Sequence, residues 1–176
     1  MATENEKTLE ALKASIQMEI DGKEYYTKAS QTSGNELGKK LLETLAKEED
    51  SHRRRFENIY KTISSKRDWP ATDLQPDGGQ GLRTIFAQET EKLGSKVESA
   101  STEMETVQTA MNMEKKTLDF YTERAAEATH EAEKEFYESL ASIEQEHSLI
   151  LTDYYEYLKD PAAWFVNAEH PSLDGG

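Results

Sequence analysis

The chain contains no cysteine, which excludes disulfides, thiolate metal sites and a cysteine nucleophile. Turn formers are sparse as well. Nine Gly and four Pro in 176 residues argue against a turn-rich β architecture and favour long helices. No stretch approaches the roughly 18 apolar residues of a membrane span, and the N-terminal "MATENEKTLEALKASIQ" is polar where a signal peptide would be apolar. A soluble, cytoplasmic protein is the expectation. Basic residues are outnumbered, 21 Lys+Arg against 35 Asp+Glu, for a formal charge of −14. Nucleic acid and anionic membranes are held mainly through Lys and Arg, so neither is an expected partner. Gly-rich phosphate loops and Gly-x-Ser-x-Gly elbows are also missing.

What is present is helical periodicity over a length that suits one domain. Leu9, Leu12, Ile16 and Tyr26 mark a first helix, closed by the turn chemistry of "QTSGNELG". Leu37, Leu41, Leu45, Phe56, Ile59 or Tyr60, and Ile63 mark a second. The segment "RDWPATDLQPDGGQG", with two prolines and three glycines, predicts a long crossover. "LRTIFAQETEKLG" follows as a short helix closed near Gly94. A third long helix carries Met104, Val107, Met111, Leu118, Tyr121 and Ala125, and "EATHEAE" marks the next junction. Phe136, Leu140, Ile143, Leu151, Tyr154 and Leu158 build the fourth, up to Pro161. The expected architecture is all-α, a four-helix bundle with a crossover over residues 1–160 and an irregular C-terminal tail over 161–176.

The bundle is internally duplicated. An offset of 95 residues aligns Met18-Glu19 with Met113-Glu114, Tyr26-Thr27 with Tyr121-Thr122, and Leu45-Ala46 with Leu140-Ala141. It also aligns Glu43 with Glu138, Glu49 with Glu144, His52 with His147, and Tyr60 with Tyr155.

Glu-x-x-His occurs three times, at Glu49/His52, Glu127/His130 and Glu144/His147, so the spacing itself carries little information. Position separates them. Glu127/His130 lies at a helix junction without a repeat partner and reads as a surface pair. The other two occupy slots where the apolar stripe should continue, between Leu45 and Phe56 and between Leu140 and Leu151. Residues three apart on a helix lie about 60° apart, so both side chains can reach one point. Glu19 and Glu114 fall in phase with the stripes of their own helices. Four inward carboxylates would repel one another and lose hydration unless neutralised. Two divalent cations would balance them, with one imidazole for each ion. A carboxylate and imidazole donor set without thiolate suits iron first, with manganese or a mixed pair also compatible.

These residues resemble the ferritin-like di-iron carboxylate superfamily, in particular its rubrerythrin branch. The resemblance spans about residues 5–160 and rests on Glu19, "EEDSH", Glu114 and "EQEH". It implies metal ligation by Glu19, Glu49, His52, Glu114, Glu144 and His147. Glu49 and Glu144 would bridge two irons, and Glu19 and Glu114 would be terminal. Tyr26 and Tyr121, seven residues beyond Glu19 and Glu114, are candidate catalytic residues that would hydrogen-bond ligands or donate electrons. Ordinary core aromatics are the alternative. Two departures stand out. A cysteine-free chain has no rubredoxin-type module, so electrons would come from an external donor protein. Met111 stands where the family usually has an additional glutamate that takes part in redox-linked coordination. The implied function is reduction of hydrogen peroxide or dioxygen, in a homodimer. A protein that oxidises, buffers or delivers iron without peroxidase turnover is the second expectation, and a bundle with a relic site the third. Arg53-Arg54-Arg55 reads as a solvated face paired with acidic groups, and Trp164 and Phe165 as a cover for the bundle or a dimer surface.

Overall fold

The computed structural model describes residues 3–97 and 101–168, in which six helices run in chain order: α1 Glu4–Thr32, α2 Glu36–Ser64, α3 Gln80–Leu93, α4 Ser101–Glu127, α5 Glu131–Lys159 and α6 Pro161–Ala168. Local chemistry sets several of the ends. Thr3 and Glu6 form a capping box that satisfies free backbone N–H groups at the start of α1. Asn35 caps α2 by accepting from Gly38 N at 2.8 Å. At the end of the crossover Gly78 and Gly79 take φ of 68° and 73°, a region that side chains with a Cβ seldom occupy, and the chain turns there into α3.

The short links make α1/α2 and α4/α5 the two intimately packed pairs, while α3 lies against α2 and α5. This is the expected four-helix bundle with a crossover, all-α and ferritin-like. One expectation fails. Residues 161–168, read as irregular, form α6, because Trp164 packs edge-on against Phe86 and Tyr157, and Phe165 against Tyr157. The helix is held by aromatic contacts with α3 and α5 that no periodicity of its own could reveal. The remainder of the tail, 169–176, lies outside the described residues. No described helix is long and apolar enough to cross a membrane.

The interior has three layers. One apolar cluster gathers Tyr26, Leu37, Leu41, Leu45, Val107, Ile150 and Tyr154; another gathers Leu12, Phe56, Ile59, Trp69, Phe136 and Tyr137. Of the pair left open by the periodicity, Ile59 is buried and Tyr60 only half-buried. Between the two clusters lies a polar layer.

Candidate metal centre

That layer is made by Glu19 from α1, Glu49 and His52 from α2, Glu114 from α4, and Glu144 and His147 from α5. All six are buried, none more than 4% exposed. Apolar side chains there would each contribute about 1.5–3 kcal/mol, so the chain forgoes substantial core stability to place acids and imidazoles inside.

Their donor atoms converge on two points. Glu19, Glu49, His52 and Glu144 form one group that could hold a metal ion, and Glu49, Glu114, Glu144 and His147 form the other; in each, one donor atom per residue lies within 4.8 Å of the rest. Glu49 and Glu144 belong to both. His52 Nδ1 is 3.4 Å from Glu19 Oε2 and 3.5 Å from Glu144 Oε1. His147 Nδ1 is 2.9 Å from Glu144 Oε2, 3.4 Å from Glu49 Oε1 and 3.7 Å from Glu114 Oε1. Yet both Nδ1 atoms, both Glu144 oxygens, Glu19 Oε2 and Glu49 Oε1 are buried without a hydrogen-bond partner. Buried polar atoms are rarely left this way. Six of them facing one another fit a cation that accepts their lone pairs, and the oxygen and nitrogen donor set fits iron or manganese.

The electrostatics without a cation point the same way. Burial, reinforced by Glu19 and Glu144, pushes Glu49 well above the usual carboxylate range. Burial and then Glu144 push Glu114 up to about 7. Burial also works to raise Glu144, but His147 and His52 hold it below its ordinary value. For the histidines burial opposes charge, yet Glu144 chiefly, with Glu19 at His52 and Glu114 and Glu48 at His147, lifts both well above the ordinary imidazole value. Protons therefore occupy the cluster wherever cations do not.

Tyr26 and Tyr121 are fully buried, and their hydroxyls donate across the repeat: Tyr26 to Glu114 Oε1, and Tyr121 to Glu19 Oε1. Spacing placed each tyrosine on the face of the glutamate in its own helix, whereas each bonds the equivalent glutamate of the other half. Burial first, and then the carboxylates around them, push both phenols well above their ordinary value, so they remain protonated donors.

Two contributors escaped the sequence reading. Glu48 accepts from His147 Nε2 at 2.7 Å; a carboxylate only accepts, so Nε2 carries the proton and Nδ1 is left to face the carboxylates. Glu48 sits about 100° around the helix from Glu49, off the apolar stripe, and only its lack of a twin singled it out: the offset places Ile143 there. Gly22 makes room for Glu49, since a Cβ at Gly22 would lie 2.7 Å from Glu49 Oε2. Glu127 and His130 are a surface pair, as expected. Glu127 is exposed and bonded to Arg124, and His130 precedes α5 without a side-chain cap bond. The arginine run is paired as expected, Arg53 with Asp50 and Glu57, Arg54 with Asp50, and Arg55 with Asp73 of the crossover.

Among curated proteins and among solved structures, none matches the chain. The family model described as Rubrerythrin matches residues 10–155, which takes in all six converging side chains and both tyrosines. By its sequence, the chain belongs to the rubrerythrin family.

Proposed function

We propose that the chain holds two iron ions and works as a non-haem di-iron oxidoreductase, reducing hydrogen peroxide or dioxygen with electrons from an external donor protein. The observation that carries this reading is the pair of overlapping donor groups that share Glu49 and Glu144. In it, Glu19, Glu49, His52 and Glu144 hold one ion, and Glu49, Glu114, Glu144 and His147 the other. Four carboxylates balance two dications, and each histidine adds a neutral nitrogen through Nδ1. When bound, the ion pair supplies two reversible one-electron couples, Fe2+ to Fe3+, matching the two electrons that reduce peroxide to water.

The chain's own residues do the rest. Tyr26 and Tyr121 fix the rotamers of Glu114 and Glu19 by donating to Oε1 of each, and at Glu19 this leaves Oε2, 3.4 Å from His52 Nδ1, for a cation. Glu48 fixes the ring of His147. The apolar clusters on either side keep bulk water from the layer, which strengthens every charge interaction within it. Manganese or a mixed pair satisfies the same donors.

A second reading, iron oxidation and handling without peroxidase turnover, is favoured by Met111. It is half-buried against the apolar cluster and adds no carboxylate near Glu114. One experiment tests both. Anaerobic loading with Fe2+ is expected to give about two irons per chain, and hydrogen peroxide is expected to oxidise them rapidly with the iron retained. Release of Fe3+ after oxidation would favour the second reading, and protein that stays ferrous with both oxidants would overturn the first.

A further inference from the structure

The polar layer has a twofold pattern that breaks at one place. Each half contributes a carboxylate on its first long helix, a Glu-x-x-His on its second, and a tyrosine that reaches across to the other half. Around the histidines the equivalence ends. His147 donates from Nε2 to Glu48 at 2.7 Å, whereas His52, its counterpart, has no hydrogen bond at Nε2 to any described residue. The reason lies in the sequence. Under the offset that maps His147 onto His52, Glu48 maps onto Ile143, so the place equivalent to Glu48 in the other half carries an apolar side chain.

A histidine whose outer N–H is held by a carboxylate is a better ligand for two reasons: its ring is already oriented, and the carboxylate raises the basicity of the inner nitrogen. His147 has both advantages and His52 neither. The crossover adds to the difference. Pro76, Asp77, Gly78 and Gly79 line a small pocket together with Glu48 and His147, so the crossover lies beside the pair, with His147 buried and Glu48 partly exposed.

Resting on the proposed metal-site reading, we infer that the two metal positions are inequivalent and that the one at His147 takes the first dication. Loss of an outer-shell partner of this type typically weakens binding 10- to 100-fold, or about that much; the His147 position is therefore about 10- to 100-fold tighter. Two dications sharing Glu49 and Glu144 repel each other, so even a symmetric site would fill in two steps. A stepwise isotherm is not a sufficient test.

Single-position variants of the full chain resolve the two sites. His52→Ala leaves the His147 position intact, and His147→Ala leaves the other. Anaerobic titration of each with Fe2+, and separately with Co2+, by calorimetry and visible absorption gives the first-ion affinity. His52→Ala is expected to bind its ion about 10- to 100-fold more tightly than His147→Ala. Glu48→Ala added to His52→Ala should remove most of that advantage, and Ile143→Glu added to His147→Ala should strengthen the weaker position. Circular dichroism checks that every variant keeps its helices. Equal first-ion affinities in the two histidine variants, or no effect of Glu48→Ala, would overturn the inference while leaving the metal site standing. Failure of the unsubstituted chain to bind either ion would overturn the metal-site reading itself.

Discussion

Glu49 and Glu144 occupy equivalent positions in the repeat but behave differently without a cation, and this separates their substitutions. Glu49 is held protonated by burial and by its acidic neighbours, so Gln closely mimics its metal-free form. Glu144 is held ionised between two raised histidines, so Gln leaves those imidazoles without their main counter-charge. Both substitutions are expected to lower iron content below two per chain, as metal analysis would show. Thermal unfolding of the metal-free proteins should differ: Glu49→Gln unchanged or more stable, Glu144→Gln less stable by about 3–5 kcal/mol. Gly22→Ala should likewise reduce iron content without reducing helicity, because its Cβ would displace the Glu49 carboxylate. The six converging residues were legible from sequence because each interrupts an apolar stripe in phase and has a twin. Glu48 and Gly22 were not, since one lies off the stripe and the other matters only through the space it leaves beside a different helix.

At the scale of elements, the caps and stripes forecast all four long helices and the short helix after the crossover. The α1–α2 turn is fixed by a contact that no pattern announced. Glu103 of α4 accepts from Ser33 Oγ at 2.6 Å and Gly34 N at 3.0 Å, and from Tyr154 Oη of α5 at 2.7 Å. One buried carboxylate thus ties the turn of the first pair to both helices of the second. Glu103→Ala leaves those donors unmatched and is expected to cost about 1–3 kcal/mol in denaturant unfolding, with iron content retained because the cluster lies elsewhere. The α6 segment was misread for the same reason: its order comes from Trp164 meeting Phe86 and Tyr157, partners distant in sequence.

For the whole molecule, the shifted groups set how stability follows pH. Glu114 goes from an ordinary 4.5 to about 7, and Glu49 is also raised, so the folded metal-free protein binds more protons than the unfolded chain over that range. Stability from those groups is lost as pH rises. The histidines act in the same direction: their contribution is complete below the ordinary 6.5 and disappears as pH climbs through their raised folded values. Metal-free protein should therefore melt at progressively lower temperature as pH rises from about 4.5 through about 7. Cations compete with those protons, so stabilisation by added Mn2+ should grow over the same interval. Calorimetry with chelator and with Mn2+ would measure both trends, and a flat metal-free profile would contradict the assignment of buried protons. A last consequence follows from the donor groups, each of which draws on both halves of the chain. Were the first helical hairpin to associate with a copy of itself, it could present the same six donors, but any substitution would then appear twice. Covalent linkage of the two halves removes that constraint, so a glutamate can be kept beside one histidine and exchanged for isoleucine beside the other.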